Sequence, residues 1–330
     1  LPFGSAAVAL IGAYLTDRPS QGSRHSIDYP GVATLAASVA CLLLALIQVG
    51  KRGSFAEPDL LVLFFLSAVL LAVFIYLQRR AAEPLLPVSL FRNRVFTVCA
   101  AVGFFSGMGL FGSISFIPLF VQGVLFGSAT RAGSALTPLM LTWVFLSIIS
   151  GRLMLKTGYR PVVISGMVLF AGGFLWLSRL GPASTYGDIL PAMSLLGAGM
   201  GLSMVTILLA VQNTVPRKLM GTATSANLFF RTIGGAVGVA IMGSVMGHRM
   251  VGHLAGSTDP EFVRLATNPD TVVNEAARQA LSPAVLEWLR MALGDSLHAV
   301  FVTGTVIAAL AFLVSFAFPR GSAQELASRR

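Results

Sequence analysis

Val95-Phe-Thr-Val-Cys-Ala-Ala-Val-Gly-Phe-Phe-Ser-Gly-Met-Gly-Leu-Phe-Gly-Ser-Ile-Ser-Phe-Ile-Pro-Leu-Phe-Val121 decides the fold. It carries no charged residue from end to end. A bilayer core about 30 Å thick is crossed by roughly 20 apolar residues in helical form. A transmembrane barrel strand would be about 10 residues long and alternate in polarity; this run is longer and does not alternate. In lipid, every backbone N–H and C=O must find a partner inside the segment, so the run reads as a transmembrane helix.

Outward from it lie similar runs at Leu1–Leu15, Gly31–Val49, Leu60–Leu77, Ser134–Ile149, Val162–Leu177, Ile189–Val211, Leu228–Met246 and Ala299–Phe318. None of the nine contains Asp or Glu; all 13 acidic residues fall in the connectors. Across 330 residues only 11% are charged and 55% are hydrophobic, with a mean hydropathy of +0.81. A soluble domain carries about 25% charged residues. The sequence therefore predicts an all-α polytopic membrane protein with about nine transmembrane helices, in which the lipid bilayer is the solvent. The chain opens at Leu1 already inside an apolar run, without a basic leader, and reads as the C-terminal portion of a longer protein.

The net charge of +10 does not point to nucleic acid, because no basic and aromatic stripe lies on a soluble module. Nine spans place alternate connectors on opposite sides. One side receives Arg18, Arg24, Arg79, Arg80, Arg92, Arg94, Arg152, Lys156, Arg160, Arg217, Lys218, Arg320, Arg329 and Arg330. The other receives Lys51, Arg52, Arg131, Arg179, Arg249, Arg264, Arg278 and Arg290. The positive-inside rule makes the first side cytoplasmic, and the C-terminus with it, in a plasma membrane that would be the inner membrane of a bacterium.

Several features carry little chemistry. Cys41 and Cys99 both lie in apolar runs, without the spacing of a metal site. His25, His248, His253 and His298 are scattered, so no metal and no cofactor is expected. Gly197-Ala-Gly-Met-Gly201 resembles a dinucleotide loop only superficially, since it sits inside an apolar run and not after a strand. No phosphate-loop motif exists, so the chain has no ATPase motor of its own. The pairs Gly103/Gly107, Gly197/Gly201, Gly234/Gly238 and Gly243/Gly247 have the small-xxx-small spacing that lets helices approach closely in lipid.

Other residues could line a cavity or move a gate. Arg231 is the one charge placed within a span, about a turn from its start, with Asn227 one turn before it on the same face. It either snorkels to the cytoplasmic surface or faces a cavity, since a charge at the bilayer centre costs about 2.5–3.5 kcal/mol on insertion scales. Phe104, Met108 and Phe111 in one span, Gln122 at its end and Met204 in another could face an apolar ligand or simply pack. Pro118 and Pro138 are expected to bend their helices. The outer connector from His248 to Leu297 carries two helix starts. Asp270 precedes Thr271–Ala280, and Ser282-Pro283 precedes Ala284–Leu293. They read as an amphipathic hairpin lying on the outer membrane surface or capping the bundle.

The ordered motifs resemble a known family. Ile27-Asp28-Tyr29-Pro30-Gly31 opens the second run, and Glu83-Pro-Leu-Leu-Pro-Val-Ser-Leu-Phe-Arg-Asn-Arg-Val-Phe96 precedes the fourth. Pro118-Leu-Phe-Val-Gln122 ends that run, followed by Gly127-Ser-Ala-Thr-Arg-Ala-Gly133. Gly151-Arg152-Leu153, then Lys156-Thr-Gly-Tyr-Arg-Pro161, and Arg231-Thr-Ile-Gly-Gly-Ala-Val-Gly238 complete the set. Together they resemble the fourteen-span drug:proton antiporter family of the major facilitator superfamily, over essentially the whole chain. That resemblance implies the major facilitator fold of two six-helix bundles with two extra helices between them. Residues 1–15 would end the N-terminal bundle, and 16–94 would hold the two inserted helices and a cytoplasmic loop. Residues 95–320 would form the C-terminal bundle with its outer loop 248–297, and 321–330 a cytoplasmic tail. Gly151, Arg152, Lys156, Gly158 and Arg160 would be the second copy of the superfamily's gate-loop motif. That motif ordinarily has an acid before its arginine; here Ser150 and Gly151 stand before Arg152.

The function implied is secondary active transport: proton-coupled efflux of apolar or cationic drugs by two bundles rocking about a central site. Its partners would be the bilayer, a small-molecule substrate and protons as coupling ion, with the proton-carrying acids in the N-terminal half. Asp188, near an outer span end, is the nearest acid in this half. An exporter of a metabolite or lipid on the same fold is the alternative. A non-transport membrane subunit, docking a periplasmic partner through the outer hairpin, is another. A membrane enzyme is disfavoured by the lack of a carboxylate pair, His cluster or Ser–His arrangement at membrane depth.

Overall fold

The computed structural model describes residues 28–52, 57–81, 84–254 and 282–320, together with Ser5. Among them the regular structure is all helical: α1 (Tyr29–Arg52), α2 (Pro58–Arg80), α3 (Arg94–Gly123), a short α4 (Ala129–Ser134), α5 (Thr137–Thr157), α6 (Tyr159–Leu177), α7 (Tyr186–Thr214), α8 (Met220–Leu254) and α9 (Pro283–Ser315). Eight segments are long and apolar enough to cross a membrane, α4 and α5 counting together as one. They match the eight apolar runs from Gly31 onward. The Leu1–Leu15 run, the expected helix Thr271–Ala280 and the tail 321–330 lie outside the described residues.

Hydropathy underestimates two helices. α8 begins at Met220 rather than near Leu228, because Gly221-Thr-Ala-Thr-Ser-Ala-Asn227 is weakly polar yet helical. α9 begins at Pro283 rather than Ala299. The expected surface helix Ala284–Leu293 is therefore the first part of the last span and not a separate element. Ser282 caps it by accepting the Val285 amide at 3.4 Å, with Pro283 in the first turn where its missing N–H costs nothing. Val285, Leu289 and Leu293 are buried against the bundle. Asp295 and His298 lower the hydropathy there but do not break the helix.

The prolines divide. Pro118 sits inside α3, which continues through it to Gly123. Pro138 does not bend the interior of a helix as expected. It occupies the first turn of α5, just after the break that separates α4 from α5. Pro191, not anticipated, lies inside α7.

Glycine sets the closest packing. Along the α3–α8 crossing, a Cβ on Gly107 would overlap the Arg231 carbonyl, one on Gly234 the Phe104 carbonyl, and one on Gly238 the Met108 backbone. Gly197 and Gly201 of α7 bring that helix against the Leu139 and Trp143 carbonyls of α5. Gly166 and Gly199 face each other where α6 meets α7, and Gly50 and Gly247 where α1 meets α8. Of the expected pairs Gly103 and Gly243 have room, with the nearest atoms 3.7 Å (Asn227) and 3.8 Å (Phe116) from a Cβ placed there. In lipid no hydrophobic force drives helices together, so van der Waals contact at such small residues has to do it.

α1 and α2 form a hairpin held by Ser38 and Ser67, whose hydroxyls donate to each other's backbone carbonyls at 2.8 and 2.9 Å. α1 docks on α8, while α2 and the outer face of α5 present large apolar side chains such as Phe65, Val144 and Phe145 outward. These are the lipid-facing surfaces expected of helices in a bilayer.

Polar contacts tie the helix ends. At the arginine-rich end the Asn93 carboxamide caps α3 by accepting the Val95 and Phe96 amides (2.9 and 3.4 Å), and its Nδ2 donates to the Thr214 carbonyl at 2.9 Å. Arg94 Nε and Arg160 Nη2 donate to the Ala317 and Phe316 carbonyls (3.2 and 3.1 Å) just beyond α9. At the opposite end Arg290 of α9 donates to the Val124 and Pro182 carbonyls (3.1 and 2.6 Å), joining α3 to the α6–α7 connector.

Candidate functional site

Arg231 lies far deeper than its place in the apolar run suggested. Its helix starts at Met220, about 16 Å away along the axis at about 1.5 Å per residue. Two other helices give the same depth. Gly107, packed beneath its carbonyl, is about 20 Å from the start of α3, and Met204, its side-chain neighbour, about 15 Å from the end of α7. Those two helix ends are level with each other, being joined by the Asn93–Thr214 hydrogen bond. The three registers thus set Arg231 about 15–20 Å in from that end of the bundle, well inside the helices rather than at their mouth.

The side chain does not climb to the surface. Nη1 reaches sideways to α7 and donates to the Met204 sulfur, its one hydrogen-bond acceptor among the described residues. A thioether is a weak acceptor for a group with five N–H donors. One turn earlier, Asn227 faces Gly103, with its Nδ2 3.7 Å from where a Cβ there would stand. That Nδ2 is buried without a hydrogen-bond partner. A buried polar group ordinarily has a partner. Here a cation and an amide stand one turn apart on α8, the amide with a buried unpaired donor against α3 and the cation reaching α7 with only a thioether as acceptor.

The other expected lining residues separate. Phe111 is 39% exposed, with its ring over Gly235. Phe104 packs edge-on to Phe105 at 5.5 Å, close to Asn227 and Arg231 through the α3–α8 crossing. Met108 is only 5% exposed and buried in that crossing under Gly238, which makes it a packing residue. Gln122 is remote from Arg231, near the far end of α3, where its Nε2 donates to the Pro118 carbonyl at 3.4 Å.

The gate-loop residues lie together at the arginine-rich end. Gly158 separates α5 from α6 with φ 83°, a left-handed value that glycine adopts without a Cβ penalty. Tyr159 behind it is buried and accepts a 2.8 Å hydrogen bond from Asn213 of α7. Arg152 and Lys156 are exposed, and open space surrounds Gly151. Ser150, two residues before Arg152, is fully buried. It donates to the Leu202 carbonyl and meets the Thr206 hydroxyl, both at 2.8 Å. A neutral hydroxyl pair thus ties α5 to α7 just before the gate loop.

Carboxylates are absent from this depth among the described residues. Asp188 sits in the first turn of α7, bonded to Thr185 in a capping box (2.7 and 2.9 Å). Asp295 lies within α9, about 30 Å from the Ser315 end, and pairs with His253 at 3.0 Å.

Sequence reasoning missed the Arg94, Arg160 and Arg290 contacts. Each joins residues more than a hundred positions apart, and a single sequence carries no signal for such pairs.

Residues 1–239 match the family model described as the Major Facilitator Superfamily. Similar curated proteins include the multidrug transporter protein MdtP of Bacillus subtilis, 35% identical over 94% of this chain and 61% of its own length. A tetracycline resistance determinant of Streptomyces rimosus is 34% identical over 78% of this chain and 75% of its own. The chain thus spans about three fifths of the first of these. A solved bacterial homologue of the human lysosomal transporter Spinster, inward-facing and occupied, aligns with TM-score 0.50 at 19% identity, over 86% of this chain and 68% of that one, and supports the fold alone. The chain belongs to the major facilitator superfamily, in its drug:proton antiporter family.

Proposed function

We propose that this chain is the C-terminal portion of a secondary transporter that exports apolar or cationic drugs by alternating access, driven by proton entry. In this reading α3 and α5–α9 are the C-terminal bundle, with α4 a short turn before α5. α1 and α2 are the inserted hairpin, and the Leu1–Leu15 run closes the N-terminal bundle. The arginine-rich end faces the cytoplasm, by the positive-inside rule.

The observation that carries the proposal is Arg231 with Asn227 deep within the spans, about 15–20 Å from the arginine-rich helix ends. Ionisable groups at that depth are costly and face cavities or pathways. Phe104, Phe111 and Met204 border the same region and give it an adaptable apolar wall. The names of the relatives, a multidrug transporter and a tetracycline resistance determinant, agree in substrate class. The proton-carrying acids are assigned to the N-terminal half, because the described carboxylates here sit at helix ends or near the bilayer surface.

The test is accumulation of fluorescent cationic dyes by cells lacking their own pumps and expressing the complete transporter. Accumulation should fall, and a protonophore should restore it. No change across a broad compound panel would favour the metabolite or lipid exporter instead.

A further inference from the structure

We propose that the arginine-rich end carries a binding site for a phosphate group, built from Arg94, Arg160 and Arg320. Two adjacent clefts of about 430 and 360 Å³ open there. The larger is walled by Arg94, Arg160, Arg320 and the chain leaving α9, the smaller by Lys156, Arg160 and Arg320. Arg160 and Arg320 are common to both.

Three observations select an anion. The cations converge: Arg94 starts α3, Arg160 starts α6 and Arg320 follows α9, so three separate helices deliver guanidinium groups to one cleft. No carboxylate among the described residues forms an ion pair with Arg94, Lys156, Arg160 or Arg320. The partners that Arg94 and Arg160 do have are the neutral carbonyls of Ala317 and Phe316. Finally, Arg160 Nε is buried without a hydrogen-bond partner. Like charges gathered without a counter-charge repel each other, and an unpaired buried N–H on a guanidinium asks for an acceptor. A tetrahedral phosphate relieves the repulsion, because its oxygens accept from several guanidinium forks at once, and it can meet the Arg160 Nε once that side chain turns toward the cleft.

The site lies where helices leave the bilayer, so a phosphate can come from an anionic phospholipid headgroup or from solution. The chemistry is shared, and the experiment distinguishes the sources. Thermal unfolding of the purified protein in detergent is titrated with dioleoylphosphatidylglycerol, with dioleoylphosphatidylcholine and with inorganic phosphate. A juxtamembrane Arg contributes about fivefold to binding of an anionic surface. Arg320→Gln should therefore shift the half-saturating phosphatidylglycerol concentration about fivefold upward, and the triple Arg94→Gln/Arg160→Gln/Arg320→Gln variant by on the order of 100-fold. Arg249→Gln, at the opposite end, should leave it unchanged.

Stabilisation by phosphatidylglycerol but not by millimolar phosphate assigns the site to lipid; the reverse assigns it to soluble phosphate. Arg320 is exposed and makes no contact the fold depends on, so its single variant keeps the test decisive if the triple variant fails to fold. The proposal is overturned if neither phosphatidylglycerol nor phosphate stabilises the protein, or if Arg320→Gln and Arg249→Gln respond alike.

Discussion

Gly107 of α3 lies directly beneath the backbone carbonyl of Arg231 on α8, so closely that a Cβ would overlap it. The contact fixes the distance between two helices at the level of the candidate site. Gly107→Leu should separate them and cost about 1–3 kcal/mol by overpacking, read as a lowered thermal unfolding temperature in detergent. Gly172→Ala is the control: open space surrounds that position, so removing glycine from the helix should be neutral or stabilise by up to about 1 kcal/mol. Equal losses at both positions would show that the α3–α8 contact is not what holds the helices.

Arg231 should be a residue that costs stability and supplies function. Its guanidinium is half-buried with a single weak acceptor among the described residues. Replacing an unsatisfied buried charge by an apolar side chain of similar volume is often stabilising. Arg231→Met is expected to raise stability by about 1–2 kcal/mol in detergent while lowering dye efflux by the complete transporter. Arg231→Lys keeps the charge but not the fork, and should retain part of the efflux. A destabilised Arg231→Met protein that still transports would identify Arg231 as a packing residue.

The apolar runs already defined every described span, because the energetic demand for about 20 apolar residues is read directly from composition along the chain. Helix ends were less legible. The Gly221–Asn227 segment and the Asp295–His298 stretch are too polar for a hydropathy reading, yet their backbones continue the helices of α8 and α9. Glycine spacing announced close packing but not its partner; that Gly107 meets Arg231 and Gly247 meets Gly50 depends on tertiary register. Arg231 and Asn227 were legible as a polar pair on one face. Their depth was not, since it follows from where Met220 starts the helix. Met108 was indistinguishable from Phe111 by residue type, and only the Gly238 contact shows that it packs.

Asn93 does two jobs that substitution can separate. Its Oδ1 caps α3 and its Nδ2 holds the end of α7 through Thr214. Asn93→Ala should cost about 1 kcal/mol for the cap and about 1 kcal/mol more for the lost tie. Asn93→Asp keeps the capping oxygen and removes only the donor to Thr214, so about half the loss should remain in denaturant unfolding. An aspartate variant as damaged as the alanine one would mean that the cap contributes nothing.

Gly158 is the one described glycine in the left-handed region, and it joins the two helices of the gate loop. Its φ of 83° places the following Tyr159 side chain inward, where it receives the Asn213 hydrogen bond. With ψ at 174° this is a backbone region that is essentially glycine-only, and a side chain there costs on the order of 1–3 kcal/mol. Gly158→Ala should therefore lower stability by about that amount, and Gly158→Asn by no less, since ψ of 174° lies outside the αL well that asparagine tolerates. Tyr159→Phe leaves the backbone untouched and deletes only the hydroxyl, so it should cost about 1 kcal/mol by thermal unfolding. If Gly158→Ala is silent while Tyr159→Phe is not, the loop is held by its hydrogen bond to α7 rather than by its backbone geometry.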